Sequence, residues 1–236
     1  MVAGRLRART NIDPVGGSMK LTTNAKFSIA LVAVFAVVLG ALLLGNRSGT
    51  GTTSAGASDA TVLRADTHLL STAPDNDVVL VEFLDFECEA CLAMYPTMER
   101  IRTEYADRIT FGVRYFPIPS HTNSGLAARV VEAASRQGKF VEMYQRMYDT
   151  QTEWGESSES QEPLFRTFAQ DLGLDMATFE ADLKDPTVAE RVERDFNEGI
   201  DLGVQGTPTL FLDGVQLPAM PTYEELTGRI DAALAR

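Results

Sequence analysis

Two cysteines occur in the 236 residues, Cys88 and Cys91, separated by Glu89 and Ala90. If the segment is helical, this spacing sets the second sulfur one turn beyond the first, near enough to resolve a mixed disulfide formed on Cys88. The run before them, residues 78–86, is nearly continuous in apolar side chains and reads as a strand. The stretch from 88 to 105 has helical spacing. Cys88 then falls at a helix N-terminus, where free backbone N–H groups favour a thiolate. This pattern is that of a redox-active dithiol, with Cys88 attacking and Cys91 resolving. An inert buried pair or half of a zinc site would use the same residues. Zinc takes about four ligands, and His68 and His121 are the only histidines, neither at ligand spacing. No metal and no organic cofactor are expected.

Glu82 is the other residue with chemical potential, an acid six positions before Cys88 inside a largely apolar strand. Burial there raises a carboxyl pKa and lets the group exchange a proton near the dithiol; the plainer reading is a strand-end carboxylate that reaches solvent. His121, after Pro119-Ser120, is expected near the start of a helix as a surface or capping residue, with a pH-sensitive or substrate-contact role as the alternative. His68 reads as a surface residue. Trp154, Met143, Met147, Tyr144 and Tyr148 sit at helical spacing and read as core. Phe86 and Pro117-Ile118-Pro119 are expected to add apolar surface around the sulfur.

The elements that must position these residues follow from periodicity. Residues 78–86 and 109–116 are strands of the kind covered on both faces, and the helix between them makes a strand-helix-strand unit, hence a parallel pair. A helical block follows, with apolar periodicity over 126–134, 140–148, 164–172, 179–183 and 188–202, punctuated by Gly138, Pro163, Gly173 and Pro186. Residues 209–212 and 215–217 flank Asp213-Gly214, a hairpin signal. Thr222 with Glu225 three residues on forms a capping box for a last helix reaching Leu234.

The ends of the chain speak to compartment. Residues 27–45 carry no charge and no proline, and 19 residues at about 1.5 Å each span a hydrocarbon core of roughly 30 Å. They read as an uncleaved transmembrane signal anchor rather than a cleaved signal, because the nearest small-x-small site, Ala55-Gly56-Ala57, lies ten residues beyond Gly45. Arg5, Arg7, Arg9, Lys20 and Lys26 precede it against Asp13, so residues 1–26 are expected in the cytoplasm and the remainder outside the cell membrane. Met19-Lys20-Leu21 would itself make an ordinary start to such an anchor. Residues 46–62 read as a flexible linker, with an r.m.s. reach on the order of 20 Å for 15 residues. They lead into one domain, 63–236, set in a disulfide-permissive space.

The chain holds 21 Lys and Arg against 33 Asp and Glu. Six of the former and one of the latter precede Ser48, which leaves a net charge of −17 beyond it. So acidic a domain argues against nucleic acid or anionic lipid as a partner; the membrane is reached through the anchor alone. Glu153, Glu156, Glu159 and Glu162 read as a solvated loop, with docking of a basic partner as the alternative.

Taken in order, these features resemble the DsbA-like family of extracytoplasmic thiol-disulfide oxidoreductases, an α/β thioredoxin-like fold with a helical insertion, here at about 122–203 and preceded by one transmembrane helix. The similarity is carried by residues 81–88 (VEFLDFEC) leading into the active site, by Pro96 in the first helix, by residues 137–143 (QGKFVEM), and by Gly206-Thr207-Pro208-Thr209-Leu210-Phe211. It implies a cis bond at Pro208, a loop lying against the dithiol, and a proton-exchange role for Glu82 beneath Cys91. Thr207 and Pro208 then become the substrate-binding positions, since the Thr207 backbone can pair with an extended segment; an ordinary strand-entry turn is the plainer reading. The resemblance implies disulfide formation in secreted proteins, with exported thiols as substrates and a membrane redox partner that resets the pair. A reductase or isomerase for few clients shares the same dithiol, as does a tethered binding domain in which the pair is only a staple. Glu87 and Glu89, taken as solvated carboxylates beside the sulfur, oppose the helix terminus, so the Cys88 pKa is expected to be less depressed than in a strong oxidant.

Overall fold

The structure is a computed structural model that describes residues 61–74 and 78–236. The expected cytoplasmic segment, the anchor and nearly all of the linker lie outside the described residues. Among the described residues no helix is long and apolar enough to cross a membrane.

The chain order is β1 (His68–Ser71), β2 (Val79–Leu84), α1 (Glu89–Glu104), β3 (Thr110–Tyr115), then helices α2 (Ser124–Ser135), α3 (Phe140–Asp149), α4 (Gln151–Trp154), α5 (Glu162–Asp171), α6 (Met176–Lys184) and α7 (Pro186–Asp201), and finally β4 (Thr209–Leu212), β5 (Val215–Gln216) and α8 (Tyr223–Leu234). The five strands form one mixed sheet in the order β1-β3-β2-β4-β5. β2 and β3 are parallel, as a strand-helix-strand crossover demands; β1, β4 and β5 pair antiparallel. Six helices, α2 to α7, stand between β3 and β4.

β2 lies at the centre of the sheet, and alternation sorts its side chains onto two faces. Leu80 and Leu84 enter the larger core with Met94, Met98, Phe111 and the aromatic residues of α3. Val81 and Phe83 enter a second core with Phe116, Val204 and Phe211. Glu82 shares parity with Leu80 and Leu84, so it stands on the face covered by α1. It pairs across the sheet with Val113 and Leu210.

Local chemistry sets the ends of the elements. Asp175 and Asp185 cap α6 and α7 by accepting from Thr178 N and Thr187 N, and Pro186 occupies the first turn of α7 where its missing N–H costs nothing. The capping box Thr222–Glu225 starts α8. Asp213 and Gly214 both have positive φ, 50° and 77°, the backbone that a two-residue hairpin turn requires. Gly199 lets α7 approach the sheet, for a Cβ there would stand 2.7 Å from a Phe116 ring carbon.

Several features differ from the sequence reading. β1 has no periodic signal in its four residues; it exists because the free edge of β3 accepts it through an irregular register. His68 is not a free surface residue: its Nε2 lies 2.6 Å from Glu132 Oε2 and its ring stacks on Phe140 at 4.1 Å. Phe86 contributes nothing to the surface, being 1% exposed among Tyr115, Tyr144 and Tyr148. On the other face of the sheet, buried Arg114 donates to Asp195 at 2.7 Å and to the Thr61 carbonyl at 2.7 Å, pinning both α7 and the leading segment. A buried arginine without its carboxylate would be strongly destabilising.

Candidate active site

Where β2 ends, the chain turns through Asp85, Phe86 and Glu87, and the Cys88 N–H closes the turn on the Asp85 carbonyl at 3.2 Å. Cys88 is then the N-cap of α1, with extended backbone (φ −75°, ψ 122°). A cysteine makes a poor cap, so the first N–H groups of α1 are left to face the sulfur. Its Sγ is buried and donates to the Thr207 carbonyl at 3.4 Å. Thr207 and Pro208 are joined by a cis bond, which brings the 206–209 loop over the dithiol. The Thr207 hydroxyl is buried and has no hydrogen-bond partner among the described residues.

The two thiols are thereby made unequal. The Cys88 pKa is lowered to about 6, first by a hydrogen bond from the Cys91 thiol, then, against the opposing effect of burial, by Thr207 and by the backbone N–H groups of Cys91 and Ala90. Cys91, 1% exposed, is pushed well above the ordinary thiol range by burial, by donating to Cys88, and, once its carboxyl ionises, by Glu82. At neutral pH the arrangement is a Cys88 thiolate beside a Cys91 thiol.

Glu82 is 2% exposed, which removes the reading of a strand-end carboxylate in solvent, and its Oε2 has no hydrogen-bond partner. Burial, and secondarily the charge on Cys88, raises its pKa to about 8. Glu87 differs from the solvated carboxylate expected: its side chain is buried and accepts from the Asn123 N–H at 2.6 Å, at the start of α2. Burial raises its pKa too, so it holds less charge beside the sulfur than a free glutamate would. Glu89 is exposed and lines, with Glu87, His121 and Glu156, a hollow of about 320 Å³.

The helical insertion supplies residues that no local pattern announced. Gln151, buried in α4, donates from Nε2 to the carbonyls of Phe86 at 2.7 Å and Cys88 at 3.0 Å. The Tyr148 hydroxyl donates to the Asp85 carbonyl at 3.3 Å. The Asp85 carboxylate accepts from the N–H groups of Glu87 and Ile118 and lies 2.6 Å from His121 Nδ1. An acid three positions before Cys88 at the close of a strand was a visible sign of such a clamp. Nothing in the sequence pointed to Gln151, 63 residues from Cys88.

Two surface hollows are lined by loops that touch the active-site turn, though Cys88 itself lines neither. One, of about 420 Å³, runs along Thr207 and Pro208 with Gln205, Gln216 and Met220. The other, of about 430 Å³, is lined by Pro117, Ile118, Pro119, His121 and residues of α2 and α7. Among the described residues no group of three or more His, Cys, Asp or Glu side chains could hold a metal ion.

Comparison with known proteins agrees with this fold. The family profile described as thioredoxin matches residues 65–232. Among curated proteins, the Na(+)/H(+) antiporter NhaA of Herminiimonas arsenicoxydans is 33% identical over 159 residues, 67% of this chain and 24% of that protein. The Na(+)/H(+) antiporter NhaA 1 of Mycolicibacterium vanbaalenii is 33% identical over 147 residues, 60% and 22% respectively. The chain thus spans about a quarter of the length of these relatives. Among solved structures, a thioredoxin-like oxidoreductase from Silicibacter pomeroyi superposes with a TM-score of 0.63 at 23% identity, over 76% of this chain and 98% of the other. The alpha-DsbA1 protein from Wolbachia pipientis gives 0.66 at 17% identity (74% and 94%), and oxidised BdbD from Bacillus subtilis 0.64 at 21% (72% and 94%). At these identities the likeness is one of fold.

Proposed function

Because the chain belongs to the thioredoxin family over residues 65–232, we propose that it is a thiol-disulfide oxidoreductase, acting through Cys88 and Cys91 on the thiols and disulfides of exported proteins. The observation that carries this reading is the division of the pair: a Cys88 pKa near 6 at a helix N-terminus under the Thr207–Pro208 loop, beside a Cys91 held protonated.

In the oxidising direction a substrate thiolate attacks Cys88 Sγ of the Cys88–Cys91 disulfide. A bond forms between the substrate sulfur and Cys88, the Cys88–Cys91 bond breaks, and Cys91 departs as a thiolate. Buried and disfavoured as an anion, Cys91 takes the proton of the Glu82 carboxyl, which a pKa of about 8 keeps protonated at neutral pH. A second substrate thiolate then attacks the first substrate sulfur and expels Cys88, whose stabilised thiolate is a good leaving group. The substrate has lost two electrons and the dithiol has gained them, the transferred proton stays on Cys91, and Glu82 regains a proton from solvent. Run backwards, Cys88 attacks a substrate disulfide and Cys91 resolves, with Glu82 as the base. Thr207 and Pro208 line the hollow in which an extended substrate segment would lie.

Oxidation is the favoured direction. A thiolate with a pKa of about 6 stabilises the dithiol form and so makes the disulfide oxidising. The value lies between the roughly 3.5 of a strong oxidant and the roughly 7 of a thioredoxin. The pattern of residues 1–45 supports a single-pass cell-membrane anchor with the dithiol domain outside, and a membrane redox partner would accept the two electrons. A reductase or isomerase serving few clients is the second reading, supported by the moderate rather than extreme Cys88 pKa.

The test is equilibration of the pair against glutathione. A reduction potential nearer about −120 mV supports oxidation, one near about −270 mV a reductant, and a pair that does not exchange would leave only a staple. In parallel, Cys91→Ser should accumulate mixed disulfides with substrate while Cys88→Ser forms none.

A further inference from the structure

We infer that His121, held by Asp85, is a positioning residue of the dithiol whose imidazolium favours the Cys88 thiolate and tunes its ionisation and redox poise. This rests on the reading of Cys88 as the attacking thiolate.

Asp85 belongs to the turn that ends at Cys88. Its carboxylate is wholly buried, fixed by the N–H groups of Glu87 and Ile118, and it grips His121 Nδ1 at 2.6 Å. The imidazole is therefore anchored to the same backbone turn as the sulfur, although 33 residues separate Cys88 from His121 in sequence. One side of the ring borders the hollow shared by Glu87, Glu89 and Glu156, about 320 Å³ in volume, and it also borders the apolar groove along Pro117–Pro119.

The charged groups around the ring are mostly acids. Asp85 and Glu87 face it from the active-site turn, from which the charge of Cys88 also acts on it, Glu89 from α1, and Glu156 across the acidic hollow; Arg129 of α2 and Glu193 of α7 border it across the groove. Partial burial works against the imidazolium, but the Asp85 hydrogen bond and charge, followed by the charges of Cys88 and Glu87, raise the His121 pKa above its ordinary 6.5. Coupling between two titrating sites is reciprocal. If the Cys88 thiolate helps His121 keep its proton, the imidazolium must favour the thiolate by the same free energy. The effect is smaller than those of Cys91 and Thr207, which act on the sulfur directly.

Oxidation removes the thiolate and with it this support. Reduction of the disulfide adds two electrons and, with Cys88 ionised, one proton, which resides on Cys91. An imidazolium that stabilises that state raises the reduction potential.

The experiment titrates the reduced full-length protein by thiolate absorbance at 240 nm, for wild type, His121→Asn and His121→Lys. Asn keeps a donor facing Asp85 and removes the charge; Lys restores it. His121→Asn should weaken Cys88 ionisation roughly threefold. The potential should fall by the same factor, about 14 mV at about 30 mV per tenfold, and His121→Lys should recover most of both. In wild type, the His121 ring titration followed by NMR should lie lower in the disulfide form than in the dithiol form. An unchanged Cys88 titration in His121→Asn, or an equal loss in His121→Lys, overturns this inference and leaves the oxidoreductase reading intact. A wild-type Cys88 that ionises near about 8.5 overturns both.

Discussion

Replacing Glu82 with glutamine changes shape little and removes the one ionisable group buried on the dithiol face of the central strand. Its carboxyl ionises near 4.5 in an open chain and near 8 in the fold, because burial disfavours the anion. The folded state thus holds the proton longer than the unfolded state. Its stability is undiminished below about pH 4.5, falls as pH rises through the window between the two values, and levels off above about 8. At about 1.4 kcal/mol per pH unit, the cost is roughly 1 kcal/mol at pH 5 and roughly 4 kcal/mol at pH 8. Glu82→Gln carries a fixed cost for an amide in the same unsatisfied place, but no slope. Urea unfolding of the reduced wild type and variant should be followed at half-unit intervals from pH 5 to 8. The variant should gain about 3 kcal/mol relative to wild type across that range, titrations not coupled to Glu82 cancelling in the difference. The gain should shrink in the disulfide form, where the Cys88 charge that adds to the shift is absent. A difference that stays flat within about 0.5 kcal/mol would refute a buried, proton-holding Glu82. The same variant should lose the inflection near pH 8 in the rate at which Cys91 resolves a mixed disulfide, and an unchanged profile would remove Glu82 from the chemistry.

Gln151→Leu should destabilise the fold by roughly 2–4 kcal/mol in urea titrations, since it strips a buried donor from the carbonyls of Phe86 and Cys88, at about 1–3 kcal/mol for each group left unsatisfied. The lower half of the range reflects the second bond that the Cys88 carbonyl keeps with Leu92 N–H; stability within about 0.5 kcal/mol of wild type would show the contact to be idle. Gly199→Ala sets two effects against each other. A helix interior gains about 1 kcal/mol from alanine, but the added methyl meets Phe116 at 2.7 and 2.9 Å and Phe83 at 3.1 Å, and overpacking costs about 1–3 kcal/mol. Overpacking should win, lowering the thermal midpoint; a raised midpoint would mean the two rings give way freely.

The ends of helices and turns were legible in the sequence because neighbours in the chain decide them. Thr222 and Glu225 satisfy each other across one turn, and Asp213-Gly214 supplies the left-handed backbone of its hairpin. The continuous apolar run before Cys88 signals a strand covered on both faces, whatever covers it. The type and spacing of Cys88 and Cys91 already placed a dithiol at the junction of strand and helix. β1 was not legible, since it is a strand only by virtue of the edge that β3 offers it.

The order of elements and a dithiol at a helix N-terminus can be read from the chain alone, for these rest on interactions a few residues long. The tertiary structure alone decided how that dithiol is surrounded. It turned Glu87 away to the start of α2, sealed Glu82 beneath Cys91, brought Thr207 onto the Cys88 sulfur, and tied Gln151 and His121 to the turn that carries it. The physical reason is that desolvation and charge act through space. The groups that set a buried thiol's pKa converge from strands and helices far apart in the chain, and no spacing rule along one segment records their meeting.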